Sequence, residues 1–424
     1  MQHRLSTSVP SGLSQMATRQ STRPTVKKQG LHVFDYVFVG LMFLAMGTSP
    51  FWKVQGPLIL VSFVALCIAY AAHVAIVHRI LFKSVVLAAW SVVGGIYVAL
   101  SWLRWLPGEP EFFLREYVLR MGYFVFSIYP VTAALYAMFA RVREHGRLGN
   151  LAIVGLVTVS TSALMFYASP PVDGHWIVEG SEIDIVSALI ATVGYALTNT
   201  AILFWWSLTY LLRNSRAWIA LCALIMFLSE SAQMKLLGLI LFAVWMVRQP
   251  FKIAVPLMAA IIAGFPLVAL FLVGFGNQLG FDPNITHRAS WWVDAMVAVL
   301  QTGGAGLGFG ADSTRDFIVE DRFQMLGKWN RLPIHVIHND YIYSFYSMGL
   351  IGGALFLWFH FKELAPRRAP DLASARHALF LLLAVCVATS ANAALVSPQV
   401  LLGLCWVYAY LTVLNRRSNS VRRH

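Results

Sequence analysis

Long runs of apolar residues alternate with short polar segments along nearly the whole chain. An α-helix needs ~20 mostly apolar residues to cross the hydrocarbon layer of a bilayer, so each run predicts one spanning helix. Twelve such runs predict an all-α polytopic membrane protein with about 12 transmembrane helices. The runs lie at 34–52, 57–77, 84–104, 117–140, 149–168, 185–212, 217–229, 234–247, 251–274, 340–361, 377–395 and 398–415.

Two places in this pattern leave alternatives open. The sixth run contains the polar residues Thr198, Asn199 and Thr200, so the pattern does not fix where its helix starts. The seventh and eighth runs are short, and a polar hairpin at 229–235 separates them. A single helix over 217–247 is the competing interpretation, and it would reduce the number of spans to eleven.

The composition supports a membrane domain. Hydrophobic residues make up 58% of the chain and charged residues 12%, and the mean hydropathy is +0.67. Soluble domains carry roughly 25% charged residues. The formal net charge of +13 would suggest a polyanionic partner for a soluble protein. In so apolar a chain we interpret that charge as an orientation signal, and we expect no nucleic-acid partner.

The distribution of charge predicts the orientation of the helices. Short cytoplasmic loops of membrane proteins are rich in Lys and Arg. With twelve spans and the N-terminal tail inside, the inner side holds 22 of the 32 Lys and Arg residues but only 4 of the 19 Asp and Glu residues. Eleven spans would invert the Arg-rich C-terminal half and break this pattern. Both termini are therefore predicted to be cytoplasmic.

The chain divides into two tails and one membrane domain. Residues 1–33 are polar and basic and have no apolar core of a signal peptide, which predicts a disordered cytoplasmic tail. Residues 34–415 form a single transmembrane domain, and residues 416–424 form a second basic cytoplasmic tail. Most loops are short, but 275–339 forms one large loop on the outer face. A loop of that length is typically functional or disordered.

The cysteines predict neither a disulfide framework nor a metal site. Each lies in an apolar run, and none belongs to a metal-binding pattern of cysteines and histidines. We interpret them as small buried apolar residues. They are Cys67, Cys222, Cys386 and Cys405.

The large loop contains a predicted amphipathic helix that lies on the outer membrane surface. At ~100° per residue, one face is shared by Trp292, Ala295, Met296 and Val299. Arg288 stands at the start of this helix, and the planar guanidinium of Arg suits bidentate phosphate binding. An exposed Arg at the membrane interface is the competing interpretation.

A glycine-rich stretch follows this helix. Its glycines are Gly303, Gly304, Gly306, Gly308 and Gly310. Such a stretch can hold an anion through backbone N–H groups. It is not a dinucleotide fingerprint, because no strand–turn–helix unit surrounds it. A flexible loop or a re-entrant turn is the alternative.

His338 is a candidate catalytic residue just before the tenth run. On a continuous helix it would share one face with Gly349 and Gly352. Glycines on a spanning helix allow close approach of another helix, so this face would be pressed into the bundle. The histidine would then point into a protected, outward-facing crevice. Its imidazole, at a helix N-terminus, would be favoured in the neutral form that accepts a proton.

The residues after His338 have a structural interpretation as well. Asn339 or Asp340 is predicted to cap the N-terminus of the tenth helix. Asp340 lies about 200° from His338 on a helix, so it is not expected to orient the imidazole.

The polar hairpin between the seventh and eighth runs contains Glu230 and Lys235. Because both flanking helices are short, these ionisable side chains would lie below the outer surface, where such groups are functional candidates. A mutual ion pair between Glu230 and Lys235 is the competing interpretation.

One motif resembles a known family. The pair His338–Asn339, followed after nine residues by Gly349 and then by Gly352, is similar to a motif of the O-antigen ligase and Wzy-type polysaccharide polymerase superfamily. Members of that superfamily resemble this chain in having about twelve spans and one large periplasmic loop before the histidine-bearing helix. The likeness in topology covers nearly the whole chain, and the specific motifs cover about 288–353.

Three further features extend the resemblance. Arg288 matches an arginine that opens a loop helix in the family, where a leucine stands at the position of Trp292. The family's Gly-x-Gly stretch is matched by Gly306, Gly308 and Gly310. Lys235 is the nearest match to a second basic residue, usually Arg. A lysine there keeps the positive charge but loses the bidentate fork.

The resemblance implies a glycosyltransferase of the bacterial inner membrane with its active face in the periplasm. Such enzymes polymerise undecaprenyl-pyrophosphate-linked oligosaccharide repeats into exopolysaccharide or O-antigen, without a metal ion or other cofactor. By resemblance, His338 is the general base on the acceptor hydroxyl, and Arg288 and Lys235 hold the pyrophosphate. Residues expected to support them are Asn339, Asp340, Tyr341, Gly306, Gly308, Gly310, Gly349 and Gly352. A chain-length regulator of the same pathway is a further expected partner.

Two alternatives stay open at this point. The motifs do not separate a polymerase from an O-antigen ligase, which transfers the finished glycan to the lipid A core. A secondary transporter or a flippase for lipid-linked glycans is the alternative from another functional class. Transporters tend to show inverted repeats and broken helices with charges near the membrane midplane, and the sequence shows no repeat.

Overall fold

The computed structural model describes residues 30–47, 57–103, 115–168, 201–228, 232–275, 283–309, 337, 339–391 and 398–420. Every regular element in these ranges is a helix, which confirms the all-α prediction. The helices are α1 (Val33–Gly47), α2 (Pro57–His78), α3 (Val85–Leu103), α4 (Arg115–Glu144), α5 (Leu148–Ala168), α6 (Ala201–Leu212), α7 (Arg216–Leu228), α8 (Ala232–Met246), α9 (Pro250–Phe275), α10 (Pro283–Gln301), α11 (Asp340–Trp358), α12 (Leu372–Ala391) and α13 (Pro398–Ser420). A π-helical segment (Phe359–Leu364) continues α11.

The predicted apolar runs correspond to helices of the structure. Each run overlaps one helix, and α10 is the additional helix that was predicted within the large loop. Residues 185–200 of the sixth run, where its helix start was left open, lie outside the described residues. By length and composition alone, 6 helical segments among the described residues could cross a membrane: Val61–His78, Val85–Leu103, Met121–Glu144, Pro250–Phe275, Asp340–Leu364 and Leu372–Ser390. The segment Asp340–Leu364 counts α11 and the π-helical segment as one helix, although its backbone is not helical at Gly349. These helices indicate a membrane-spanning protein in a lipid bilayer.

The helices differ in how they expose their apolar side chains. Large apolar residues on α2, α3 and α9 are exposed, among them Ile76, Val85 and Leu267. In contrast, α12 is buried along nearly its whole length between α6, α8, α9 and α13. A helix that is apolar on all sides can be buried in protein or can face lipid. Here α12 and α13 form the interior with α4, and α2, α3 and α9 present their apolar surface outward.

One end of the bundle carries a buried ion pair. Arg141 near the end of α4 lies 3.3 Å from Asp35 at the start of α1, and both side chains are almost fully buried. Tyr70 of α2 donates its hydroxyl hydrogen bond to the same carboxylate over 2.8 Å. This cluster joins three helices that are far apart in sequence.

Two further arginines near this end donate hydrogen bonds to backbone carbonyls of other helices. Arg143 in the last turn of α4 donates to the carbonyl of Val413 in α13 (3.2 Å). Arg376 in α12 donates to the carbonyl of Val247, the residue that follows α8 (2.9 Å). We call this end, formed by the start of α1 and α12 and the ends of α4, α6, α8 and α13, the basic end. The carbonyl of Val247 follows the C-terminus of α8, where carbonyl groups have no N–H donor within the helix, and Arg376 supplies one.

The residues 217–247 form two helices and not one. A Cβ atom built on Gly238 of α8 would lie 2.7 Å from the carbonyl oxygen of Ala223 and 3.0 Å from Cβ of Met226, both in α7. A continuous helix would separate residues 223 and 238 by about 22 Å. The single-helix interpretation is therefore wrong, and the glycine allows α7 and α8 to pack in direct backbone contact.

Candidate functional site

The helix that carries the motif is folded back on itself at Gly349. This residue has φ 64° and ψ −166°, far from helical values. The ring of Tyr341 lies 5.3 Å from that of Phe356 and 5.2 Å from that of His360. A straight helix would place residues 341 and 356 about 22 Å apart. The first arm of α11, residues 340–348, therefore lies beside the second arm, residues 350–358.

The other motif glycines allow the two arms to touch. A Cβ atom on Gly352 would lie 2.2 Å from Cβ of Met348, and a Cβ atom on Gly353 would lie 2.3 Å from the ring of Phe345. No side chain fits at either position without displacing the first arm. The close approach expected for these glycines is present, but the partner is the same helix, and the predicted single stripe across Gly349 and Gly352 does not continue through the turn.

The glycine-rich stretch after α10 docks on this turn. The N–H of Leu307 donates to the carbonyl of Tyr346 (2.8 Å), that of Gly308 to Ser347 (3.0 Å), and that of Leu350 to Gly304 (2.9 Å). Gly306 lies so close that its Cβ would be 2.4 Å from the amide nitrogen of Gly349. Two segments about 40 residues apart in sequence thus form one backbone-to-backbone contact.

Helix α3 also holds this contact in place. The N–H of Phe309 donates to the hydroxyl oxygen of Ser101 (2.8 Å), and the hydroxyl of Tyr97 donates to the carbonyl of Ala305. A Cβ atom on Gly94 of the same helix would lie 3.2 Å from the sulfur of Met348. The turn at Gly349 is therefore enclosed between α3, the glycine stretch and its own second arm.

The glycine stretch uses its N–H groups within the protein. Besides the bonds to α11 and α3, the N–H of Gly306 donates to the hydroxyl oxygen of Thr302 (3.2 Å), and that of Gly304 to the carbonyl of Val299 (2.9 Å). In this arrangement the described glycines form a turn that packs into the bundle, with their N–H groups bonded within the protein. Gly310 lies outside the described residues.

The helix before this stretch carries Arg288. As predicted, α10 is amphipathic, and its buried residues include Ala289, Trp292, Ala295 and Val299, whereas Met296 is 38% exposed. Its predicted start at Arg288 is wrong, because the helix begins at Pro283 and Arg288 lies in its second turn. The ring of Trp292 lies 5.9 Å from that of Phe265 in α9. The apolar face of α10 is therefore covered by α9 and α11, and Arg288 is half-buried one turn before Trp292.

The first arm of α11 begins in the interior of the bundle. Asn339 accepts a hydrogen bond from the N–H of Ile342 (3.0 Å), so the predicted cap is Asn339. Asn339 is 1% exposed and Asp340 0%. Tyr341 lies against His360 of the π-helical segment, which follows the second arm. The start of the first arm therefore lies beside the end of the second arm, away from the turn at Gly349. His338 itself lies outside the described residues.

A line of buried polar groups continues from this helix start. The Nε2 atom of His360 lies 3.2 Å from the hydroxyl oxygen of Tyr408 in α13. The Nδ1 atom of the same ring lies 2.9 Å from the carbonyl oxygen of Phe356. Ser344 and Ser347 on the first arm are also buried, and within the described part of the chain their hydroxyls have no hydrogen-bond partner. Such groups are costly in an apolar bundle, which makes this interior a functional candidate.

Lys235 lies in a different layer from Arg288. It is exposed near the start of α8, and α8 packs mainly against α7 and α12. Arg288 lies on α10, which packs against α9 and α11. The buried helix α12 therefore stands between the helix of Lys235 and the first arm of α11, which it also contacts.

The folded α11 was not foreseen from the sequence. The available signal was the closely spaced set Gly349, Gly352 and Gly353 inside an apolar run, since glycine is destabilising in a straight helix and favoured where φ is positive. The buried polar group formed by Asp340, His360 and Tyr408 could not be predicted from a local sequence pattern, because these residues come from three separate segments.

Comparisons with family models, with curated proteins and with solved structures give no match for this chain. Its function is therefore inferred from its own residues. Of the predicted site, the structure brings the glycines Gly306 and Gly308 to the turn at Gly349, and the helix of Arg288 packs against α11. The capped start at Asn339 lies at the other end of the first arm. Lys235 lies apart from this group.

Proposed function

We propose that this protein polymerises undecaprenyl-pyrophosphate-linked oligosaccharide repeats into exopolysaccharide or O-antigen at the periplasmic face of the bacterial inner membrane. The observation that supports the proposal best is the contact between Gly306 and Gly349. The resemblance linked two glycine motifs separated by a long loop, and the structure has them in direct backbone contact. Asn339, the second residue of the motif, caps the arm that this contact holds in place.

The proposed reaction assigns roles to the basic residues. The oxygen of an acceptor sugar hydroxyl attacks the anomeric carbon of the donor, and the bond from that carbon to the pyrophosphate oxygen breaks. His338 takes the hydroxyl proton as general base. Arg288 stabilises the charge that develops on the departing undecaprenyl pyrophosphate. The resemblance gives Lys235 the same role, although Lys235 lies apart from the helix of Arg288 in the fold. In-line displacement inverts the anomeric carbon, and the cationic side chains replace a metal ion.

The proposed topology has twelve spans and both termini in the cytoplasm. It is supported by the basic end, where turns far apart in sequence meet with their Arg side chains, since Lys and Arg favour the cytoplasmic side. The glycine stretch and the turn at Gly349 lie toward the opposite end of α3, because they contact Tyr97 and Ser101 in its last turns. The glycine stretch of the loop 275–339 would then lie on the periplasmic side, whereas Asn339 at the end of this loop is buried in the bundle.

A reconstituted assay tests the proposal. Purified protein in proteoliposomes is given one defined undecaprenyl-pyrophosphate-linked repeat, and products are separated by chain length. We expect products of several repeats from the wild type and single repeats only from His338→Ala, with His145→Ala at the basic end as control. Chain growth by His338→Ala equal to wild type would contradict the proposal. Lys235→Arg should retain far more activity than Lys235→Ala, and equal activities would remove Lys235 from the site.

The same assay distinguishes a polymerase from an O-antigen ligase. Lipid A core is added as an alternative acceptor, together with preformed polymer on undecaprenyl pyrophosphate. Transfer to lipid A core without elongation of single repeats would identify an O-antigen ligase.

One observation favours a second candidate, a transporter or flippase. The helix broken at Gly349 and the buried Asp340 and His360 are features that transporters place at their substrate sites. Single cysteines introduced at Ser344 and at Leu350 distinguish the two. Labelling of Ser344→Cys from both sides of the membrane, in alternation with substrate, would favour transport.

A further inference from the structure

The first arm of α11 carries a row of buried polar side chains. At ~100° per residue, Asp340, Ser344 and Ser347 lie within about 60° of one another on this arm. They are 0%, 1% and 0% exposed, respectively. The row is about 10 Å long, because each helical residue adds about 1.5 Å along the axis. We call Asp340, Ser344 and Ser347 the polar row.

The two serines of the polar row do not bond their hydroxyls within the helix. A buried Ser or Thr in a helix can donate to the carbonyl one turn earlier. Thr389 of α12 does so, to the carbonyl of Val385 (2.8 Å). Within the described part of the chain, the hydroxyls of Ser344 and Ser347 have no hydrogen-bond partner. Such a group costs about 1–3 kcal/mol, so stability does not account for these two serines.

The inner end of the polar row lies inside the bundle. Asp340 follows the cap residue Asn339, which is 1% exposed, and comes two residues after the proposed general base His338. The ring of the next residue, Tyr341, lies 5.2 Å from that of the buried His360. A proton that is released beside Asp340 therefore enters the interior of the protein and not bulk water.

The outer end of the polar row lies at the glycine stretch. The carbonyl of Ser347 accepts a hydrogen bond from the N–H of Gly308 (3.0 Å). The same stretch is exposed at Gly303 and Ala305. The polar row therefore connects a buried helix start with a segment that reaches the surface of the protein.

The burial of the polar row favours a proton over a sugar as the species that it handles. A sugar ring would have to displace the side chains that cover the row, whereas a proton needs only oxygen atoms connected by hydrogen bonds. Residues three or four apart on a helix have Cβ atoms about 5–6 Å apart, so one water molecule between two side chains completes each step. Buried ionisable groups in membrane-spanning bundles commonly mark proton relays.

We propose that the polar row is the path by which the proton released in glycosyl transfer leaves the protein. This inference rests on the proposed function. The O–H bond of the acceptor breaks, its proton goes to the imidazole of His338, and the imidazole passes it to the carboxylate of Asp340. The hydroxyl oxygens of Ser344 and Ser347 then each accept one proton, through water, and give up their own. The proton enters bulk water at the glycine stretch, so the base and the row end each cycle in their starting protonation states.

The test compares a variant without the two hydroxyls with a matched serine elsewhere. Chain growth by the full protein in proteoliposomes is measured in light and in heavy water, as turnover and as KM for the lipid-linked repeat. The row variant is Ser344→Ala with Ser347→Ala. The control is Ser207→Ala in α6, because Ser207 is 0% exposed and its hydroxyl also has no partner among the described residues.

The row variant is expected to keep the thermal stability and the KM of the wild type. Its turnover should fall at least about tenfold, which is less than the 10²–10⁴-fold that a general base itself contributes. Heavy water should slow the row variant more than the wild type, because proton release becomes rate-limiting. Ser207→Ala should match the wild type in every measurement. A row variant with the turnover and the isotope effect of the wild type would overturn the proposal.

A second pair of variants separates the hydroxyl from packing. Ser344→Thr and Ser344→Val add nearly the same volume, but only threonine keeps a hydroxyl. The threonine variant should be clearly more active, and equal activity of the two would overturn the proposal. No chain growth by the wild type would contradict the proposed function and the path with it. Wild-type growth that the row variant leaves unchanged contradicts the path alone.

Discussion

The ring of Phe345 packs directly on Gly353, eight residues further along the same helix, at a position where a Cβ atom would lie 2.3 Å from the ring. The contact exists only because α11 is folded at Gly349. It therefore reports on the whole turn and offers a direct test of it.

Gly353→Ala is expected to destabilise the protein, because its methyl group and the Phe345 ring cannot occupy the same space; overpacking typically costs 1–3 kcal/mol. In a Phe345→Ala background the same change should cost much less. Thermal unfolding in detergent, followed by size-exclusion chromatography, measures the four members of the cycle. Additive effects would show that the two residues do not touch and that α11 is straight.

Gly349→Ala should be more damaging than an alanine elsewhere in the membrane domain. A positive φ costs a residue with a Cβ roughly 1–2 kcal/mol, and the added Cβ would lie 2.4 Å from the carbonyl oxygen of Gly304. Gly264→Ala in α9 is the control, since its Cβ meets nothing within 4 Å. We expect a loss of folded yield for the first variant and unchanged or slightly higher stability for the second. The opposite order would exclude the turn.

Ser101→Ala removes the acceptor for the buried N–H of Phe309. Leaving a buried donor unsatisfied costs about 1–3 kcal/mol, so the melting temperature should fall. Ser91→Ala in the same helix is the matched control, because the described residues give the Ser91 hydroxyl no partner. Proteolysis of the segment 301–309 should also become faster in Ser101→Ala alone. Equal melting temperatures for the two variants would mean that α3 does not anchor the glycine stretch.

Asp35→Ala leaves the guanidinium of Arg141 buried beside the emptied position. Removing one partner of a buried pair costs about 3–5 kcal/mol. Glu144→Gln should cost less than about 1 kcal/mol, because Glu144 is 3.8 Å from Arg141 and its side chain is 48% exposed. The double variant Asp35→Leu with Arg141→Met should recover much of the stability, as measured by thermal unfolding. A double variant as unstable as Asp35→Ala would show that packing at this position, and not the unpaired charge, causes the loss.

The sequence predicted where helices lie along the chain, but it did not predict that α11 folds back on itself. Apolar runs are a local property, so each run marked a helix, including the short pair α7 and α8. The fold of α11 depends on the non-helical backbone angles of the single residue Gly349. The predicted helix face was wrong because it assumed that every residue between His338 and Gly352 was helical.

The partners of polar residues were also beyond the sequence pattern. Asp35 and Arg141 entered the sequence interpretation only as charges on one side of the membrane, yet they pair across helices more than 100 residues apart. The cap at Asn339 was predictable because capping is decided within four residues. The amphipathic pattern of α10 was predictable, but not that α9 and α11 cover its apolar face.

The lengths of α7 and α8 have a consequence for the surrounding lipid. Helices of 13 and 15 residues are about 20 and 22 Å long, whereas the hydrocarbon layer is about 30 Å thick. In the proposed twelve-span topology, this hydrophobic mismatch of roughly 8–10 Å would be relieved by thinning of the bilayer or by long polar side chains that reach its surface. Lys235 stands near the tip of this hairpin, so the membrane is expected to be thinnest beside it.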